Sequence, residues 1–227
     1  MRIKVLFFAR LRELAQTNEC WIELPENAQI LDVRSELTKI FPQLQQDLHR
    51  AAAALHESYA EDSTLLKDGD EIAWIPPVGG GSGKIEIISP YYQVTDEPLD
   101  LSKAYQLLED PKFGGIVLFS GTVREWTGDR RTEKLEYEAY KDMALLQMHR
   151  LGEELETTYP GVKTLAWHRV GTLVPTETAV ICAAASAHRD IAFTVCKTLI
   201  DRLKKEVPIW KKEFFSDGQT EWKENPE

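Results

Sequence analysis

Between Lys197 and Lys212 the chain carries six Lys/Arg and only two acidic residues, in a protein whose formal net charge is −10. For any single lysine the plain reading is a solvated basic face. A local run of cations set in an acidic background is also what a pocket for a small anion requires. Lys204 follows Leu203 on a segment where Ala192, Cys196, Leu199 and Leu203 recur at spacings of 4, 3 and 4, the stripe of a half-buried helix. Its stem is therefore expected to run along the core edge. A lysine partly desolvated beside other cations has a lowered pKa and serves as a base or nucleophile. Lys205 closes the same helix, and Lys211 and Lys212 lie just past Pro208. Upstream, Arg124 sits where a predicted strand exits into a loop. His188 and Arg189 sit where a strand gives way to the Ala192 helix, a place where cations and free backbone N–H groups hold a phosphate. His168, on a predicted strand, reads as a structural histidine. Trp210, Phe214 and Phe215 read as packing residues, one of which has room to flank a flat ring. Together these residues point to an anion pocket with acid–base capacity.

Other chemistries find no support. No phosphate loop, Gly-x-Gly-x-x-Gly element, nucleophile elbow or metal-ligand cluster is present. Cys20, Cys182 and Cys196 are far apart, so neither a zinc knuckle nor a disulfide framework is indicated. Cys182 and Cys196 sit in apolar runs and are expected in the core. Residues 1–81 hold 8 Lys+Arg against 13 Asp+Glu and residues 82–227 hold 19 against 24, so each half stands at −5. Neither is a nucleic-acid module. The apolar start is broken by Lys4 and Arg10, which argues against a signal peptide, and no apolar run has the length of a membrane span. A soluble cytoplasmic protein without membrane contact is the expectation.

The elements that must position these residues read as follows. Ile3, Val5 and Phe7 alternate as an opening strand, and Trp21–Leu24 follows as a second. Ile30, Val33, Leu37 and Ile40 recur at helical spacing up to Pro42, and Ala51–Leu55 is a short apolar run. Asp68-Gly69 marks a turn before a last strand at Ile72–Ile75. With 227 residues and 43% hydrophobic content the chain has room for two small cores. The second half opens on Ile85, Ile87 and Ile88. Gly115–Val123 reads as a buried strand, and Leu135, Tyr137 and Ala139 as an alternating one. Ala144, Met148, Leu151 and Leu155 mark a helix. Strands at Lys163–Val170 and Thr178–Ser186 follow, then a helix over Ala192–Glu206 that Pro208 ends. Both halves are α+β. Between them Pro76-Pro77-Val78 is stiff and Gly79-Gly80-Gly81-Ser82-Gly83 nearly free of side chains, the composition of a linker, natural or engineered.

Leu65–Gly81, with its run Asp68-Gly69-Asp70-Glu71-Ile72-Ala73-Trp74-Ile75-Pro76-Pro77-Val78-Gly79-Gly80-Gly81, resembles the carboxyl end of the molybdopterin synthase small subunit. Gly115–Val123 with Arg124, Leu135-Glu136-Tyr137-Glu138-Ala139-Tyr140, His168-Arg169-Val170-Gly171, Ser186-Ala187-His188-Arg189 and Lys204 through Glu213 resemble the large subunit. The resemblance implies an α+β chain with a ubiquitin-like β-grasp domain over 1–81, a linker at 82–84, and the α/β hammerhead-type catalytic domain over 85–227. It implies sulfur carried as a thiocarboxylate on Gly81 and passed twice to cyclic pyranopterin monophosphate, forming the dithiolene of molybdopterin, with no tightly bound cofactor and no metal. Carried over by motif position, the substrate pocket is Arg124, His188, Arg189, Lys204, Lys211, Lys212 and Glu213, with Lys204 and Lys211 catalytic. The implied partners are an adenylating and sulfurating enzyme that charges the tail, and a second copy through the later domain, making a homodimer. A glycine tail suits this task because it threads a narrow channel. The six residues Pro76 to Gly81 span at most about 20 Å.

One departure matters. Gly81 is followed by Ser82, and an internal peptide bond offers no carboxyl group to activate. Cleavage after Gly81 is the favoured reading; a trapped fusion, or a first half that has lost its carrier role, stand beside it. The competing functions are a non-catalytic fusion that binds the pterin phosphate without consuming it, and a sulfur donor for another pathway. The second leaves Lys204–Glu213 unexplained.

Overall fold

In the computed structural model the described residues are 1–76 and 89–223. The chain divides into two compact units, Met1–Ile85 and Glu86–Glu227. The Gly79–Gly81 tail, the expected linker at 82–84, and Ile85, Ile87 and Ile88 lie outside the described residues.

The first unit runs β1 (Arg2–Phe7), α1 (Ala9–Ala15), β2 (Glu19–Glu23), α2 (Ile30–Ile40), a 3-10 turn (Pro42–Leu44), α3 (Gln45–Arg50), β3 (Ala52–Leu55), β4 (Ser58–Ala60) and β5 (Glu71–Ile75). The sheet order is β2-β1-β5-β3-β4, with β1 and β5 parallel and the other pairs antiparallel. The period-2 pattern of β1 sends Ile3, Val5 and Phe7 into the core, where they meet Ile30, Val33 and Leu37 of α2 together with Ile72 and Trp74 of β5. A reciprocal capping box between Gln29 and Asp32 starts α2. The unit's longest helix, α2, gripped by a mixed sheet with parallel central strands is the ubiquitin-like β-grasp arrangement. The Asp68-Gly69 turn is real: Gly69 has φ +83°, and Asp68 Oδ1 accepts from the Arg2 amide at 2.6 Å. It feeds β5, the central strand, which ends directly before Pro76.

The second unit runs β6 (Tyr92–Thr95), α4 (Leu101–Leu107), β7 (Gly115–Thr122), β8 (Trp126–Thr127), β9 (Arg130–Ala139), α5 (Lys141–Thr158), β10 (Lys163–Arg169), β11 (Gly171–Leu173), β12 (Thr178–Ser186), α6 (Arg189–Glu206), β13 (Ile209–Phe215) and β14 (Thr220–Lys223). One sheet has the order β6-β10-β12-β7; the other has β11-β9-β13-β14, with β8 paired to β9. The apolar stripes of α5 and α6 cover one face of the first sheet through Ala144, Met148, Leu151, Val195, Cys196 and Leu199. On the opposite face Ala104 and Leu108 pack on Leu165, Trp167, Ile181 and Ala183. Cys182 and Cys196 are core residues, as expected. The helix expected from Ala192 starts earlier, at Arg189, and Val207 before Pro208 is extended, ending it. The strand expected to be buried, β7, is corrected: it lies at the sheet edge, its residues are half-buried, and Phe119 is exposed. An apolar run does not distinguish an edge strand from a central one, because strand order is decided by the rest of the sheet.

Candidate active site

Where β7 and β12 face β9, β13 and β14, the second unit encloses a cavity of about 690 Å³. Its walls include Phe119, Ser120, Gly121 and Thr122 of β7, Arg124, Thr127, Leu135 and Tyr137, Lys204 of α6, Lys211 and Glu213 of β13, and Lys223 of β14. The local chain explains the convergence. Lys204 stands in the last turn of α6, Pro208 ends that helix, and the chain returns at once as β13. On β13 alternate residues share a face, so Lys211 and Glu213 look into the cavity. Lys212 points the other way, with its Nζ 5.5 Å from the ring centre of Phe214 and 5.9 Å from that of Trp222.

The desolvated lysine is Lys211. Burial holds its pKa below the usual lysine range; Glu213 pulls it up, while Lys204, Arg124 and Lys223 push it down. Opposite Lys211 in the β9–β13 register is Tyr137. Burial, helped by Glu213, raises that phenol to about 12, so it stays neutral. The Tyr137 ring meets His168 edge-on at 5.1 Å. His168 is buried, which depresses its pKa to about 4, and Nδ1 lies 2.8 Å from the Arg169 carbonyl oxygen, to which the neutral ring donates. It does not line the cavity and acts as structure, as expected. Trp210 and Phe215 are packing residues too. Glu213 is 4% exposed. Its Oε1 accepts from the Thr127 hydroxyl at 2.6 Å and from Thr132.

Of the expected pocket residues, the structure brings Arg124, Lys204, Lys211 and Glu213 together. Lys204 is exposed at the rim rather than laid along the core edge. His188 and Arg189 are not in this cavity. They stand exposed at the start of α6, and fifteen residues of helix put Arg189 about 22 Å from Lys204 along the axis. Gly81 lies outside the described residues. Thr127, Tyr137 and Lys223 went unforeseen, although the 135–139 alternation put Tyr137 on the same face as Leu135, which also lines the cavity. Among the described residues no cluster of His, Cys, Asp or Glu is arranged to hold a metal ion, and no helix is long and apolar enough to cross a membrane.

Comparison with known proteins follows the same division. The family described as MoaE protein matches residues 94–206, and the ThiS family matches residues 5–81. The molybdopterin synthase catalytic subunit of Bacillus subtilis is 40% identical over 128 residues, covering 56% of this chain and 82% of that protein. The one from Pyrococcus abyssi is 35% identical over 139 residues, covering 61% and 90%. Among solved structures, molybdopterin synthase from Staphylococcus aureus aligns with a TM-score of 0.57 at 36% identity, over 60% of this chain and 98% of that one. The MoaE protein of Burkholderia ambifaria aligns with a TM-score of 0.51 at 31% identity, over 60% and 89%. With this pocket in its second unit and a ThiS-family domain ahead of it, the chain belongs to the molybdopterin synthase catalytic subunit family.

Proposed function

We propose that this chain is a molybdopterin synthase holding both halves of the reaction: a sulfur carrier over 1–81, joined by 82–84 to a sulfurtransferase over 85–227. The observation that carries the reading is the single cavity where Arg124, Lys204, Lys211 and Lys223 surround one carboxylate, Glu213. Its volume suits a ligand the size of cyclic pyranopterin monophosphate, and its cations suit that ligand's phosphate. The thiocarboxylate sulfur on Gly81 attacks a substrate carbon. A C–S bond forms, and the departing oxygen leaves with a proton. Water then cuts the thioester, leaving the thiol on the substrate and a carboxylate on Gly81. Each charged tail delivers one sulfur, so a dithiolene needs two. Lys204 and Lys211 supply and take up these protons, and no tightly bound cofactor is required.

The carrier role demands a free Gly81 carboxyl group, so the chain is cut after Gly81 and the tail is recharged by an adenylating and sulfurating enzyme in the cytoplasm. A homodimer through the second unit gives His188 and Arg189, too far along α6 to serve their own cavity, a neighbour's substrate to hold. Lys212, directed away from the cavity, supports β13 from behind. The test is a single-turnover reaction of the native protein, its Gly81 charged as thiocarboxylate, with cyclic pyranopterin monophosphate. Molybdopterin at one per two thiocarboxylates consumed is expected. Substrate binding with no dithiolene formed would overturn the reading in favour of a non-catalytic fusion.

A further inference from the structure

We propose that Thr127 and Thr132 are positioning residues of this pocket: their hydroxyls clasp the Glu213 carboxylate against the wall, so that it cannot pair with the cations an anionic substrate needs. The inference rests on the reading above only for the identity of that substrate.

Glu213 and Lys211 are two residues apart on one strand face, about 7 Å along the chain. A buried carboxylate among Arg124, Lys204, Lys211 and Lys223 has every electrostatic reason to collapse onto one of them. The structure holds it elsewhere. Both threonine hydroxyls converge on the same oxygen, Oε1, and their own Oγ1 atoms are 3.3 Å apart. Thr132 is 1% exposed, on β9, while Thr127 comes from β8 across the hairpin. That hairpin is itself fixed. Gly128 at its tip has φ +60°, the Thr132 amide donates to the Glu125 carbonyl at 2.7 Å, and Arg131 Nε lies 2.9 Å from Glu125. Among the described residues Arg124, Lys204 and Lys211 form no ion pair, and Lys223 is held by Glu221 at 2.7 Å. The clasp therefore keeps three cations open while leaving a fixed negative charge beside Lys211.

The charged and titratable groups facing Lys211 are Glu213 on its own strand, Tyr137 on β9, Lys204 on α6, Lys223 on β14, and Arg124 beyond β7. Of these, only Glu213 gains freedom when the hydroxyls are removed. In the Thr127→Val/Thr132→Val variant of the native protein, its Gly81 charged as in the wild-type assay, the freed carboxylate pairs with Lys211. The Lys211 titration, followed by NMR of labelled lysine side chains and assigned by its loss in Lys211→Arg, should move up, because a carboxylate brought into contact favours the charged ammonium. KM for cyclic pyranopterin monophosphate should rise roughly tenfold, with kcat changed less. Thr127→Ser/Thr132→Ser keeps both donors and should restore both values. An unmoved Lys211 titration in the folded double-valine variant overturns the clasp. Should that variant fail to fold, Thr127→Val alone keeps the buried Thr132 and must show a smaller shift of the same sign; no shift there overturns the clasp equally. A shifted titration with no molybdopterin made by the wild-type protein would leave the clasp standing and remove the synthase reading instead.

Discussion

Replacing Lys204 by alanine is expected to lower dithiolene formation by roughly 10²–10⁴-fold while the substrate still binds. The range is what a positioned acid–base group contributes, and the proposed transfer moves two protons for each sulfur. Binding survives because Arg124, Lys211 and Lys223 remain in the cavity. Lys211→Ala should weaken binding as well as turnover, since it removes the desolvated cation at the centre of the group and leaves Glu213 without its neighbour. Single-turnover molybdopterin formation, measured beside substrate affinity, separates the two lysines. Wild-type turnover in Lys204→Ala would remove that residue from the chemistry and leave proton transfer to Lys211.

The second large effect is on stability. Gly152, in the middle of α5, faces Tyr92 so closely that an added Cβ would lie 1.8 Å from the tyrosine hydroxyl oxygen, 2.5 Å from its Cζ and 2.8 Å from Thr164 Oγ1. Tyr92 has nowhere to go. It is 4% exposed, its hydroxyl is 2.7 Å from Thr164 Oγ1, and Thr164 in turn donates to Glu156 at 2.8 Å. Gly152→Ala therefore drives the helix off β6 and β10. Overpacking of this kind costs about 3 kcal/mol, and alanine's better helix propensity returns about 1 kcal/mol. A net loss of about 2 kcal/mol should lower the thermal midpoint by roughly 5 °C. An unchanged midpoint would mean that Tyr92 swings aside without cost. Because the contact joins α5 to the sheet that carries β7 and β12, loosening it also reaches the cavity wall.

Much of the arrangement was legible in the sequence, and the failures have physical causes. The 4, 3, 4 stripes located α5 and α6, and Pro208 located the break that swings Lys211 back beside Lys204. The alternation at Leu135, Tyr137 and Ala139 gave β9. Short elements escaped: α1 and α4 each span seven residues, too few for a helical period to stand out from chance. The motif had placed Lys212 in the pocket with Lys211, but residues 209–215 form a strand that the sequence reading did not foresee, and its alternation turns Lys212 away. His188 and Arg189 were placed by motif in the same pocket as Lys204, but a helix of 18 residues separates its two ends by most of a domain's width. Thr127 and Thr132 carried no signal, because a threonine hydroxyl becomes informative only once its acceptor, 81 or more residues later, is folded beside it. The β-grasp core was readable from Ile3, Val5 and Phe7 onward, while the carrier role proposed for Gly81 depends on a covalent event, cleavage of the chain after it.

Cleavage after Gly81 is the event on which the proposed sulfur transfer turns. The intact masses of the polypeptides in a preparation that is making molybdopterin decide it. Two chains parted after Gly81, the first bearing a free carboxylate or thiocarboxylate, are predicted, with turnover tracking the amount of the cut form. A single unbroken chain of 227 residues working at full rate would contradict it, because sulfur would then reach the substrate without a glycine terminus to carry it.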